Sequence, residues 1–178
     1  MKILIASDLH GSAFYSAKLL ERFNNEKADK LILLGDIYNH GPRNPLPEEY
    51  NPQKVAQMLN AIKDKLIVIK GNCDSQVDSM ISEFSFIEDA VIVSGNKTVF
   101  CTHGHVYNRD KLPATAFDAI VYGHFHTGFI ERENGTIVAN AGSVSLPKND
   151  TPNSYLTLED EKLTLKDIEG KIIVEMNI

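Results

Sequence analysis

The sequence predicts an α/β fold in which two mixed β-sheets pack face to face with helices outside. Three observations carry this. First, contiguous apolar runs at residues 2–7, 30–34 and 66–69 are separated by two stretches of helical periodicity. Such runs are strands buried on both faces, and strand–helix–strand in about 35 residues is a parallel βαβ unit. Second, the pattern changes after residue 90 to short strands around Gly95-Asn96 and Glu133-Asn134-Gly135, which is hairpin chemistry. Parallel units followed by hairpins suggest two sheets. Third, the apolar runs end in polar, metal-competent residues beside glycines.

The elements follow in order. After the first strand comes the loop Asp8-Leu9-His10-Gly11, and Ser12 is placed to cap a helix over 13–25 with Phe14, Ala17, Leu20 and Phe23 on one face. The strand 30–34 closes on Gly35-Asp36. A polar loop over 37–51 contains Pro42, Pro45 and Pro47, which forbid a helix and stiffen it; its length marks it as functional. A second helix is expected over 52–63 (Val55, Met58, Leu59, Ile62), then the strand 66–69 and a short helix over 75–82. Strands are expected at 91–94, 98–102, 118–122, 129–132 and 136–139. Residues 154–158, 162–166 and 171–176 read as a closing antiparallel meander. The expectation is one domain over residues 1–178.

The formal charge of -6 argues against broad binding to duplex nucleic acid or an anionic membrane. There is no apolar run of about 18 residues, and the first strand meets Asp8 and His10 too soon for a signal peptide. Two cysteines, Cys73 and Cys101, make no disulfide framework, so the expected location is the cytoplasm.

The strand ends collect seven candidate ligands: Asp8, His10, Asp36, Asn72, His103, His124 and His126. Ligands bind at the carboxyl ends of strands in open α/β sheets. His124 and His126 are two apart, so along extended chain they point to the same side. All six histidines lie in glycine-containing loops and none in the expected helices. Taken singly, each residue has a plain reading as a turn residue, a helix cap or a satisfied loop histidine. Taken together, five strand ends converging on one donor chemistry point to metal. Seven donors suit two ions better than one four-coordinate site. Carboxylate, imidazole and amide donors suit manganese, iron or zinc, and the locally positive site would attract a phosphate.

In motif order the chain resembles the calcineurin-like metallophosphoesterases. The motifs stand here as Asp8-Leu9-His10, Gly35-Asp36, Gly71-Asn72-Cys73-Asp74, His103-Gly104-His105 and Gly123-His124-Phe125-His126. The short length and the segment Asn39-His40-Gly41-Pro42-Arg43-Asn44 are most similar to the bacterial YfcE-type phosphodiesterases of that superfamily. The resemblance implies a four-layer αββα sandwich. It implies one metal on Asp8, His10, Asp36 and His126 and a second on Asp36, Asn72, His103 and His124, with Asp36 bridging and manganese as the usual activator; zinc, iron or nickel would also fit. The chemistry expected of such a pair is in-line attack on a phosphodiester by a hydroxide held between the ions, with no phosphoenzyme.

Cys73 stands where the wider family has a histidine thought to assist the leaving group, a departure shared by the YfcE-like subgroup. Cys73, Asp74 and His105 are therefore the catalytic candidates, with His105 the alternative acid. Arg43 and His105 are the candidates for binding substrate, since a guanidinium suits a phosphate oxygen. The expected partner is a small phosphodiester, with a homo-oligomer left open. A phosphomonoesterase, or a protein-binding scaffold of the same fold, are the competing readings.

Overall fold

The computed structural model describes residues 1–178. Strand β1 (Ile3–Ala6) lies at the middle of the molecule because every one of its residues is buried. Its alternation splits the two sides of the sheet: Leu4 and Ala6 face the helices, while Ile3 and Ile5 face the second sheet. That double burial is why the strand reads as a continuous apolar run. Helix α1 (Ala13–Asn25) starts at Ser12, whose hydroxyl accepts from the Tyr15 amide. Strand β2 (Lys30–Leu33) returns parallel to β1. Helix α2 (Pro52–Asn60) is capped by Asn51, which accepts from the Lys54 amide, and carries Pro52 where the missing N–H costs nothing. Strand β3 (Leu66–Ile69) adds in parallel to β2.

A short 3-10 helix at Gln76–Met80, closed by a reciprocal Ser75–Asp78 capping box, occupies the place of the expected helix over 75–82. The two-residue strand β4 (Phe86–Ile87), which pairs with β3, was not expected from the sequence. Strands β5 (Ala90–Ser94) and β6 (Lys97–Cys101) form the expected hairpin. Then follow β7 (Ala119–Tyr122) and the hairpin of β8 (Phe129–Glu133) with β9 (Thr136–Asn140). The closing meander is β10 (Ser154–Glu159), β11 (Lys162–Asp167) and β12 (Ile172–Asn177).

The strands make two sheets, ordered β12-β11-β10-β1-β2-β3-β4 and β5-β6-β7-β9-β8. Both are mixed. The meander joins the first sheet through β10, antiparallel to β1. The second sheet is not all hairpins, because β7 runs parallel to both β6 and β9. Between the sheets lies a core that includes Ile3, Ile5, Ile32, Val99, Val121, Ile137, Leu156 and Leu163. Helices α1 and α2 bury Leu19, Phe23, Val55 and Leu59 against the other face of the first sheet. Each such side chain contributes about 1.5–3 kcal/mol of burial free energy.

The outer face of the second sheet is covered by the 102–118 segment, in which no helix forms. Tyr107 and Phe117 pack on Phe100, Ile120, Tyr122 and Val138. Arg109 lies 5.0 Å over the Phe129 ring and pairs with Glu131 at 2.7 Å and with Glu133. No helix is long and apolar enough to cross a membrane.

Candidate metal centre

The seven candidate ligands leave the carboxyl ends of five strands on one rim of the sandwich. Asp8 and His10 follow β1, Asp36 follows β2, Asn72 follows β3, His103 follows β6, and His124 and His126 follow β7. Five of them hold left-handed backbone: Asp8 at φ 59°, His10 at 48°, Asp36 at 55°, His124 at 64° and His126 at 60°. Such conformations are uncommon outside glycine and persist where surrounding structure imposes them. Here hydrogen bonds impose them. The amides of Asp8 and His10 donate to the carbonyls of Gly35 and Asp36 at 3.0 and 2.9 Å. The Asp8 carbonyl accepts from Ser143 and Ser145 hydroxyls at 2.8 and 3.0 Å.

Two glycines let the loops close. A Cβ at Gly71 would stand 2.2 Å from Asp36 Oδ1, and one at Gly123 would stand 1.9 Å from Ser7 Oγ and 2.6 Å from Asp8 Oδ2. Asp74 ties the ends of β2 and β3 together. Its Oδ2 accepts from the amides of Asp36 (2.8 Å) and Gly71 (2.7 Å), and its Oδ1 from Ile37 (2.8 Å). Burial pushes this carboxyl up to about 6 against the pull of those amides.

The outer ring nitrogens set the tautomers. Nδ1–H of His10 donates to the Asn39 carbonyl at 2.7 Å, that of His103 to Leu34 at 2.8 Å, and that of His126 to Leu146 at 2.6 Å. Each neutral ring therefore presents an Nε2 lone pair inward. His10 Nε2 and His126 Nε2 face each other at 3.1 Å. Asp8 Oδ1 lies 3.5 and 3.2 Å from them and has no hydrogen-bond partner although it is fully buried. On the other side, His103 Nε2 stands 3.1 Å from Asn72 Oδ1, the Asn72 amide nitrogen being turned to Cys73 Sγ. Asp36 spans both groups, with Oδ2 3.8 Å from His10 Nε2 and Oδ1 3.5 Å from His103 Nε2.

Acceptors facing acceptors at such distances repel unless a cation lies among them, and a buried polar atom without a partner is costly. The local field has the matching sign. Burial resists charging His10, yet Asp8 outweighs it and holds the ring above its ordinary pKa. Donor atoms of Asp8, His10 and His126 lie within 4.8 Å of one another, and so do those of Asp8, Asp36 and His103. The donor set thus fits divalent metal on geometry and on chemistry.

A sequence model of the calcineurin-like phosphoesterase superfamily domain matches residues 1–162. The chain belongs to the calcineurin-like phosphoesterase superfamily. Phosphodiesterase YfcE of Escherichia coli (strain K12) is 40% identical over 176 residues, covering 98% of this chain and 96% of that one. The solved structure of E. coli YfcE, described as a phosphoesterase, superposes with a TM-score of 0.96 at 39% identity over 100% of both chains. The probable metallophosphoesterase YsnB of Bacillus subtilis (strain 168) is 29% identical over 93% of this chain and 89% of its own length. Zinc-bound wild-type Vps29 of Entamoeba histolytica shares the fold alone, with a TM-score of 0.62 at 20% identity over 99% of both chains.

In this phosphoesterase the ligand rim opens into a cavity of about 780 Å³. Asp36, Asn72, His124 and His126 line it together with Asn39, Gly41, Pro42, Arg43, Asn44, Cys73, Phe125 and Lys148. His124 is half-buried, its ring centroid 5.1 Å from that of His103; burial, with His103 beside it, lowers its pKa to about 4, so its lone pair is free at neutral pH. Arg43 lines the cavity, exposed and in no ion pair.

His105 stands beside the candidate ligands, its ring centroid 6.2 Å from that of His124, but does not line the main cavity. It borders a separate polar depression of about 340 Å³ with Lys70, Asn72, Asp74 and Glu88. Its ring is 5.3 Å from His103, and burial together with His103 lowers its pKa. Cys73 does line the main cavity, where burial and then Asp36 push its thiol up to about 12. Sequence reasoning missed Lys148 and the Ser143/Ser145 pair. Neither follows a strand end that carries a ligand, so no local signal marks them.

Proposed function

We propose that the protein is a metal-dependent phosphodiesterase that hydrolyses a small phosphodiester without a phosphoenzyme. One observation carries this reading: the Nε2 atoms of His10 and His126 face each other at 3.1 Å beside an orphaned, fully buried carboxylate oxygen, on one rim with Asp36, Asn72 and His103. The family and the naming of YfcE as a phosphodiesterase supply the reaction class.

Asp8, His10, Asp36 and His126 would hold one divalent ion, and Asp36, Asn72, His103 and His124 a second, with manganese the first choice. Bound there, divalent ions supply positive charge to phosphoryl oxygens and acidify water from about 15.7 towards roughly 7. Arg43 binds a non-bridging phosphate oxygen through its guanidinium fork. Cys73 is the one thiol or hydroxyl lining the cavity; in this reading the nucleophile is water. Asp74 positions the loops that present Asp36 and Asn72 and takes no chemical step. The two unpaired cysteines suit a reducing cytoplasm, and the net charge of -6 turns duplex nucleic acid away.

The test is hydrolysis of bis-p-nitrophenyl phosphate against p-nitrophenyl phosphate, each with manganese and with chelator. Manganese-dependent cleavage of the diester with little of the monoester is expected. Preference for the monoester would make it a phosphatase. No turnover of either with manganese, zinc or nickel would leave a protein-binding role for the fold.

A further inference from the structure

Phe125 occupies the single position between His124 and His126 and is 45% exposed. An isolated exposed phenylalanine is ordinary on a protein surface. This one is not on open surface: it lines the 780 Å³ cavity together with Arg43 and Lys148. Its place is fixed by a tight three-residue turn, in which its amide donates to the Gly123 carbonyl at 2.7 Å. The His124 ring meets it at 79° with centroids 5.0 Å apart, and Tyr122 at 77° and 6.0 Å. Both neighbours approach near the perpendicular, so neither ring is stacked parallel on it.

The rest of the wall does not offer an equivalent surface. Pro42 is the only other hydrophobic residue among the lining side chains, which are otherwise amides, cations, histidines, a carboxylate and a thiol. The cavity volume falls in the range of about 300–1,000 Å³ that accommodates organic ligands, well beyond a bare phosphate. Lys148 is anchored to the same rim, its amide donating to the His126 carbonyl at 2.9 Å.

We propose that Phe125 is a specificity-determining residue that stacks a planar aromatic substituent of the phosphodiester substrate. The inference rests on the phosphodiesterase reading and narrows its substrate to diesters carrying a nucleobase or aryl group. A π-face recognises a flat ring with little regard for its hydrogen-bonding pattern, so the selection is for aromaticity rather than for one base.

Calorimetric titration of the manganese-loaded protein with phenylphosphonate and methylphosphonate tests it without turnover. The two ligands share the phosphoryl anion and differ in the ring. Phenylphosphonate should bind about tenfold more tightly. That ratio should fall to about twofold or less in Phe125→Leu and persist in Phe125→Tyr, with methylphosphonate binding reporting that each variant is folded and loaded. A wild-type ratio near one, or a ratio that Phe125→Leu leaves intact, overturns the proposal. Hydrolysis of bis-p-nitrophenyl phosphate is scored separately: turnover without ring preference rejects Phe125 alone, whereas ring preference without turnover rejects the phosphodiesterase reading.

Discussion

At the scale of single residues, the centre depends on side chains that are missing as much as on those present. Gly71 contributes no ligand, yet a Cβ there would lie 2.2 Å from Asp36 Oδ1 and 2.4 Å from the Asp36 amide. Backbone cannot yield cheaply, so Gly71→Ala should displace Asp36 from both ligand groups at once. The expected result is a loss of manganese affinity and of turnover of about 100-fold, on the scale of a misplaced catalytic group, read by metal titration and steady-state kinetics. Near-native values would mean that Asp36 does not bridge. His105 gives the opposite expectation. Its ring borders the side depression rather than the main cavity, and its lowered pKa leaves it neutral at pH 7. A neutral imidazole is a poor proton donor to a leaving group. His105→Ala should therefore lower kcat by less than about tenfold, and by the same factor for aryl diesters of low and high leaving-group pKa. A loss that steepens as the leaving group becomes more basic would restore the acid role.

At the scale of elements, Glu26 shows how helix and sheet are joined. It ends α1, where a negative charge opposes the helix dipole. Three partners compensate: Lys2 at 2.7 Å from β1's leading end, Lys166 at 2.6 Å from β11 and the Tyr155 hydroxyl at 2.9 Å from β10. Burial raises the carboxyl, but these partners win and bring it down to about 2. A folded pKa below the unfolded value of about 4.3 contributes stability fully above that value and loses it as pH falls towards 2. Discounted for solvent contact, Glu26→Gln should cost about 1–2 kcal/mol at pH 7 and little at pH 2.5. Urea unfolding of both proteins at the two pH values measures it; a constant difference would reject the ionic account. This joint could not be read in the sequence, because Glu26 and Lys166 are 140 residues apart. The same holds for β10 beside β1 and for β7 running parallel to β6 and β9. Strand ends were legible because burial on both faces forces a continuous apolar run, and the first polar residue after it marks the rim. Two-residue β4 has no such run, and Lys148 and Ser143 reach the rim only through the return of the chain after β9.

At the scale of the molecule, the donors that would hold metal are also part of the folded core. Asp8 and His10 are fully buried and His126 is 2% exposed, between the two sheets' strand ends. Ligand binding to the folded state alone adds about 2.7 kcal/mol at a hundred times Kd. For a domain of 150–250 residues that corresponds to a rise in Tm of about 5–10 °C. Manganese against chelator should show this rise in scanning calorimetry at pH 7.5. Its pH dependence has a fixed sign. Metal requires the neutral imidazoles, so protons compete as pH falls. His10 leads that competition, because Asp8 overcomes the burial that opposes its charging and raises its pKa. The metal-induced rise should therefore shrink as pH falls below 7. An unchanged Tm at pH 7.5 would show that the facing ring nitrogens are not a metal site.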